Sequence, residues 1–316
     1  MTYSIVARDP STGDLGIAVA SRFLAVGSVV AHARADVGGV ATQALANVAY
    51  GPDGLALLAD GVGAAEVVAR LTTLDEHRDH RQVGVVDRDG GAASFTGSAC
   101  SAWAGGRTGP GCAVQGNILA GPAVVDALLE AFLGAEGAFA DRLLSGLLAA
   151  DRAGGDRRGR QSAAILVVRV AGGYLGGDDR WLDLRVDDHP DPVVELVRLR
   201  AIHRLLWEPV AVDDLVPLDP TLAAELSALL ERVGATGRPT ADNDDVPLPA
   251  ELEALFPSGP TLERRPYPAG WDDAWQARLA GWMGMENLEG RMVAPGWIDR
   301  ATLAHLRDLA GGAPAD

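Results

Sequence analysis

The chain contains no lysine. All 27 of its basic side chains are arginine. That removes Schiff-base chemistry, a phosphate-loop lysine and a lysine general base, because a guanidinium stays protonated at any working pH. Cysteine is nearly absent too. Cys100 and Cys112 are too few for a disulfide framework. No HExxH motif or paired CxxC spacing occurs, so no metal is expected, and nothing calls for a cofactor. No basic leader precedes an apolar run, and no stretch of about 18 apolar residues is free of charge. A soluble, cytoplasmic protein is expected. Positive charge is in deficit: the net charge is −16. A chain this acidic lacks the basic patches needed for nucleic acid or an anionic membrane surface.

What is present is apolar residue in quantity, 48% of 316 residues. That suffices for one large or two modest domains. Residues 1–9 alternate as a strand, with Tyr3, Ile5 and Ala7 on one face. Pro10 to Asp14 supplies a turn, and Gly16 to Ala20 continues as the second strand of a hairpin. Val26–Ala33 and Gly38–Ala44 read as two further strands. Ala64, Val67, Val68 and Leu71 fall at helical spacing. Gln82–Asp87 and Ala92–Thr96 flank a Gly-rich turn, as a hairpin requires. A Gly-rich stretch over 97–111 reads as a loop, and Cys112–Asn117 as a strand. Two helices follow, then strands over 163–170 and 181–186. The next helix starts at Asp191-Pro192 and runs to about Trp207. Strands in groups and helices in pairs predict an α+β fold, two stacked sheets covered by helices on both outer faces. The composition changes at Glu208, where prolines and acidic residues gather. We expect a first domain over 1–208, a linker with one helix over 209–270, and a small helical domain over 271–316.

The start of the first strand carries the sharpest chemistry. If Met1 is removed, Thr2 holds a hydroxyl beside a free α-amine. The amine, with a pKa near 8, can take the hydroxyl proton and turn the threonine into a nucleophile. The alternative is an ordinary edge strand beginning Met-Thr.

Five motifs in order resemble an uncharacterised bacterial family, number 1028 among the domains of unknown function. They are Tyr3 to Asp9, Ala18 to Phe23, Ala41-Thr42-Gln43-Ala44 with Asn47 and Tyr50-Gly51-Pro52, Val114 to Asn117, and Gly155 to Ala163. The resemblance covers residues 1–208. The family is similar in fold to the N-terminal nucleophile hydrolases, which implies a four-layer αββα sandwich of mainly antiparallel sheets. Residues 221–312, with Trp282, Glu286 to Arg291 and Ile298-Asp299, resemble a peptidoglycan-binding-like domain.

The resemblance implies Thr2 as nucleophile, with Ser21, Gln43 and Asn117 beside it. Ser21 falls where proteasome-like members carry an aspartate. Their lysine has no counterpart here, and Arg22, His32 or Arg34 are the candidate replacement cations. Expected substrate-binding residues are Arg22, Asn47, Tyr50, Asp156, Arg160 and Gln161. The loop Asp156 to Ser162 packs Asp156, Arg157, Arg158, Arg160 and Gln161 together. It reads either as a carboxylate-binding site or as a self-satisfied structural knot. The function expected is an amidohydrolase acting on a small C–N substrate, possibly carboxylate-bearing. A binding protein of the same fold, contacting peptidoglycan fragments or a protein, is the other reading. A homodimer is expected. His77 and His80 among Asp75, Glu76 and Asp79 read as a solvated helix end, the tryptophans 271, 275 and 282 as core, and 242–245 as no calcium loop.

Overall fold

A computed structural model describes residues 2–235 and 262–311. By contact the chain divides into two units, Met1–Arg200 and Ala201–Asp316.

The first unit is built on a six-stranded antiparallel sheet in the order β10-β9-β2-β1-β8-β7. Its strands are β1 (Thr2–Arg8), β2 (Leu15–Ser21), β7 (Gly105–Gly109), β8 (Cys112–Asn117), β9 (Ser162–Val168) and β10 (Arg180–Val186). A second, four-stranded sheet follows chain order: β3 (Ala31–Arg34), β4 (Gly38–Ala44), β5 (Arg81–Asp87) and β6 (Ala92–Thr96). Helices α2 (Tyr50–Ala59) and α3 (Ala64–Thr73) cover the second sheet. Helices α4 (Ala123–Gly134) and α5 (Phe139–Arg152) cover the first. The result is the expected four-layer sandwich, and its three buried clusters are the three interfaces between layers.

Strand periodicity explains the layering, because alternate side chains face opposite ways. In β1, Tyr3, Ile5 and Ala7 join Leu128, Phe132, Leu143 and Leu147 under α4 and α5. Val6, from the other face, packs with Ile17, Val19, Ala41 and Val86 between the sheets. Leu58, Val67 and Leu71 close the outer layer on Val40, Val83 and Val85. Truncating a fully buried leucine such as Leu143 to alanine costs about 3 kcal/mol in a core of this kind.

Two elements differ from expectation. Val26–Ala33 is not one strand: Gly27–Val30 forms a helical turn, α1, before β3 begins at Ala31. The Val26 amide donates to the Ser162 hydroxyl at 3.1 Å, and Val30 N to Val26 O at 3.1 Å, which curls the segment. The Gly-rich loop contains β7, an edge strand of Gly-Gly-Arg-Thr-Gly. Its residues have weak strand preference, and pairing with β8 supplies what propensity does not.

Helix α6 (Pro192–Trp207) crosses the division between the units. The second unit contains α7 (Pro220–Arg232), α8 (Asp273–Met285), α9 (Arg300–Gly311) and a two-stranded sheet of β11 (Leu215–Pro217) with β12 (Trp297–Asp299). The boundary thus falls at Arg200 rather than Glu208. The helix assigned to a linker is core: Leu226, Leu229 and Leu230 of α7 pack with Trp271, Leu279, Trp282 and Leu306. Residues 242–245 lie outside the described residues.

Arg291 and Asp299 hold this unit together from inside. Arg291 Nη2 and Nε donate to Asp299 Oδ1 at 2.6 and 3.1 Å, with both side chains buried. Arg291 Nη1 reaches the carbonyls of Arg204, Leu205 and Glu208, capping the end of α6. Asp299 Oδ1 also accepts from the first amides of α9. Of the residues that carried the second resemblance, Trp282, Leu288, Arg291, Ile298 and Asp299 are therefore framework.

Candidate active site

Five strand ends meet at one edge of the sandwich. Thr2 begins β1, Ser21 ends β2, Asn117 ends β8, and Ala44 ends β4 opposite Arg81 at the start of β5. Thr2 pairs with Asn117 in the ladder. Its Oγ1 lies 3.2 Å from Ser21 Oγ, and the residue is only 7% exposed. Gln43 Nε2 donates to the Thr2 carbonyl at 3.4 Å. The structure thus brings Thr2, Ser21, Gln43 and Asn117 together.

Behind Thr2 a chain of amides bridges the two sheets. The Ser4 hydroxyl donates to Gln43 Oε1 at 2.7 Å and accepts from Gln115 Nε2 at 2.7 Å. Gln82 Oε1 accepts from Gln43 Nε2 at 2.8 Å and Asn117 Nδ2 at 3.0 Å. Gln82 Nε2 donates to Gly116 O at 2.8 Å and Thr96 Oγ1 at 2.9 Å. Apart from the half-buried Thr96 these side chains are buried, and their mutual bonds replace those lost to water except at Gln115 Oε1, which has no partner among the described residues. Gly84 leaves the space that the Gln115 amide fills; a Cβ there would collide with Gln115 Oε1.

Thr2 and Gln43 also line a cavity of about 470 Å³, with Phe23, Val26, Val30, Ala44, Val48 and Arg81 in its wall. Its mouth is apolar: Phe23 is 52% exposed, Leu45 64% and Val48 48%. Ala44 in its wall has left-handed backbone (φ 71°), as have Ala25 (φ 51°), next in the chain to Val26, and Ile118 (φ 51°), next to Asn117. Such conformations cost about 1–3 kcal/mol each and gather at functional sites.

Arg81 is the charged residue among the described residues of this wall, and no motif in the chain singles it out. Its Nε donates to Asp75 Oδ2 at 2.9 Å, and its Nη1 to the Leu45 carbonyl. Asp75 is a hub rather than part of a solvated helix end. It accepts from Tyr50 Oη at 2.9 Å, Asn47 Nδ2 at 3.2 Å and the His77 amide at 2.8 Å. Burial alone would raise its pKa. Arg81, the His77 amide, Tyr50 and Asn47 outweigh that and hold the carboxyl well below the usual range. Burial and the Asp75 charge push the Tyr50 phenol up. Asn47 and Tyr50 do not line this cavity; with Asp75 they line a separate one of about 1070 Å³, and they touch the Thr2 cavity through Asp75 and Arg81. His32 bonds to the Val29 carbonyl at 3.2 Å and packs on Gly51; neither it nor Arg34 lines the cavity.

The Asp156 loop makes a second cluster. Asp156 accepts from the Arg22 amide at 2.8 Å, the Arg158 amide at 2.8 Å and Arg158 Nη2 at 3.4 Å. Arg160 is held by both oxygens of Asp151 and by Asp191 Oδ1. The Tyr3 hydroxyl donates to Asp151 at 3.2 Å. Gln161 donates to Asp188 at 3.1 Å, and Arg22 Nη1 to the Arg158 carbonyl at 3.1 Å. The cleft among these groups is about 10 Å³, room for one water at most. Of the two readings open from the sequence, the geometry is that of the self-satisfied knot. It fixes the Arg22 amide, and Ser162 at its end holds Phe23 and Val26, which line the cavity.

Burial raises the thiol pKa of Cys100, and that of Cys112 to about 11, so neither is an activated nucleophile. Among the described residues no group of His, Cys, Asp and Glu is placed to hold a metal, and no helix is long and apolar enough to cross a membrane. Trp271 and Trp282 are buried in the second unit's core, with Trp275 stacked on Trp271 at 6.1 Å.

The model of a family of unknown function, DUF1028, matches residues 2–196. A second model, described as a putative peptidoglycan binding domain, matches residues 262–306. The crystal structure of protein SPO2555 from Silicibacter pomeroyi, a DUF1028 protein, is similar with a TM-score of 0.59 and 34% identity. The match covers 64% of this chain and 89% of that one. No curated protein matched.

Proposed function

The chain belongs to the DUF1028 family, and on that premise we propose that it is an N-terminal-nucleophile amidohydrolase cleaving a C–N bond in a small substrate. The observation that supports this reading is the Thr2 hydroxyl, 3.2 Å from Ser21 Oγ on the wall of a cavity of about 470 Å³. Removal of Met1 frees the Thr2 amine. That amine takes the Oγ1 proton as the oxygen attacks the acyl carbon, and returns it to the departing nitrogen. Water then hydrolyses the ester left on Thr2. Ser21 orients the hydroxyl, and Gln43 fixes the carbonyl of the nucleophile's own residue. The test is turnover on a panel of small amides and ureido acids. Thr2→Ala abolishes turnover with an unchanged melting curve, a loss of roughly a thousandfold or more. Full activity in that variant removes Thr2 as the nucleophile and with it the proposal; no turnover by the unaltered chain leaves a binding protein of the same fold.

The match over residues 262–306 favours a second role for the second unit, contact with peptidoglycan fragments. Sedimentation of the full chain with purified peptidoglycan tests it; retention no greater than that of a control protein of equal charge dismisses it.

A further inference from the structure

We propose that Arg81 is the anion-recognition residue of the Thr2 cavity, so that the ligand joins a carboxylate to an apolar body. This inference rests on the cavity assigned above to the hydrolase, and it names the substrate class.

Three observations carry it. Arg81 alone is charged among the described residues that line the cavity, whose other walls are mainly apolar. Its guanidinium is fixed from behind, by Asp75 on Nε and the Leu45 carbonyl on Nη1. Its Nη2 has no partner among the described residues. An arginine held on two nitrogens keeps its remaining donors aimed, so binding an anion costs little ordering. A bond from guanidinium to carboxylate is about twice as strong as a neutral one. The third observation is the mouth, where Phe23, Leu45 and Val48 are exposed beside the same cavity that they line. Apolar surface of this kind favours a ligand that covers it, by about fourfold in affinity per buried methylene. A head group that answers Arg81 and a body that answers the mouth describe one molecule, an amphipathic carboxylate.

Asp75 is then a positioning residue. It touches no ligand; it holds Arg81, with Tyr50 and Asn47 holding Asp75 in turn.

Arg158 and Arg160 of the Asp156 loop do not compete for this role, and the exposed Arg157 lines neither their cleft nor the Thr2 cavity. Arg158 and Arg160 are already engaged by Asp151, Asp156 and Asp191, around a cleft of about 10 Å³.

The test is calorimetric titration of the full chain with hexanoate, its neutral isostere hexanamide, and acetate. Hexanoate is expected to bind at least tenfold more tightly than either of the others. The first contrast reads the charge and the second reads the apolar body. Arg81→Met loses at least tenfold in hexanoate affinity and leaves hexanamide unchanged; Arg81→Lys recovers part of the loss. Asp75→Asn weakens hexanoate by a smaller factor and leaves hexanamide unchanged. Equal binding of hexanoate and hexanamide by the unaltered chain overturns the proposal, as does failure of all three to bind. Those comparisons need no variant to fold. Thr2→Ala keeps the preference for hexanoate within about twofold. An active Thr2→Ala protein that still prefers hexanoate refutes the nucleophile and keeps the anion site. An inactive one without the preference does the reverse.

Discussion

The first unit holds two arginine clusters on the same sandwich, and they have opposite characters. Around Asp156 the guanidinium groups of Arg158 and Arg160 meet carboxylates, and the space between them is about 10 Å³. Around Asp75 a single arginine is braced from one side and faces a cavity of about 470 Å³. Dense charge in the chain marks the place where charges answer each other. The lone arginine among apolar walls is the one with something left to bind.

Substitutions at the two clusters should separate these characters. The largest stability loss is expected at Asp156, whose buried carboxylate accepts from two backbone amides and an arginine. Asp156→Ala should cost about 2–4 kcal/mol in urea unfolding. A variant as stable as the parent would break the distinction, since the loop would then not be framework. Slightly less is expected from Gln82→Leu, which removes the centre of the inter-sheet amides, takes the acceptor from Asn117 Nδ2 and leaves Gln43 Nε2 only its two longer bonds; about 2–3 kcal/mol is the expected loss.

Asp75 sharpens the comparison through pH. Its folded pKa is depressed, so its pairing stabilises the fold fully above the unfolded value of about 4 and less as the pH falls through the folded value. Asp75→Asn lacks this dependence. Unfolding curves of parent and variant should lie apart at pH 7 and converge below about pH 4. Parallel behaviour down to pH 2 would contradict the hub. The smallest effect belongs to Arg160→Gln, which should cost less than about 1 kcal/mol because the guanidinium is half exposed. It should also leave hexanoate binding unaltered.

The fold was readable wherever periodicity was strong. Tyr3, Ile5 and Ala7 declared the buried face of β1, and Ala64, Val67, Val68 and Leu71 that of α3. It was not readable where pairing outweighs propensity, as in Gly105–Gly109, or where a distant hydroxyl curls a β-branched run, as Ser162 does at Val26. Of the site, Thr2 was legible as a hydroxyl that gains a free amine on loss of Met1, Ser21, Gln43 and Asn117 came from the family resemblance, and the four stand together. Arg81 and Asp75 were not legible, because His77, Asp79 and His80 around them read as surface. The available signal was parity: Ser4, Gln43, Gln82 and Gln115 are polar at strand positions whose alternation points between the sheets. A polar residue at such a position needs a partner on the opposite sheet, and four of them imply a network.

The account depends on a free amine beside the Thr2 hydroxyl. Intact-mass spectrometry of the full chain, before and after a threonine-directed β-lactone, reads this directly. The account predicts a chain beginning at Thr2 that gains a single adduct, absent in Thr2→Ala. A chain that retains Met1 and gains no adduct would contradict it.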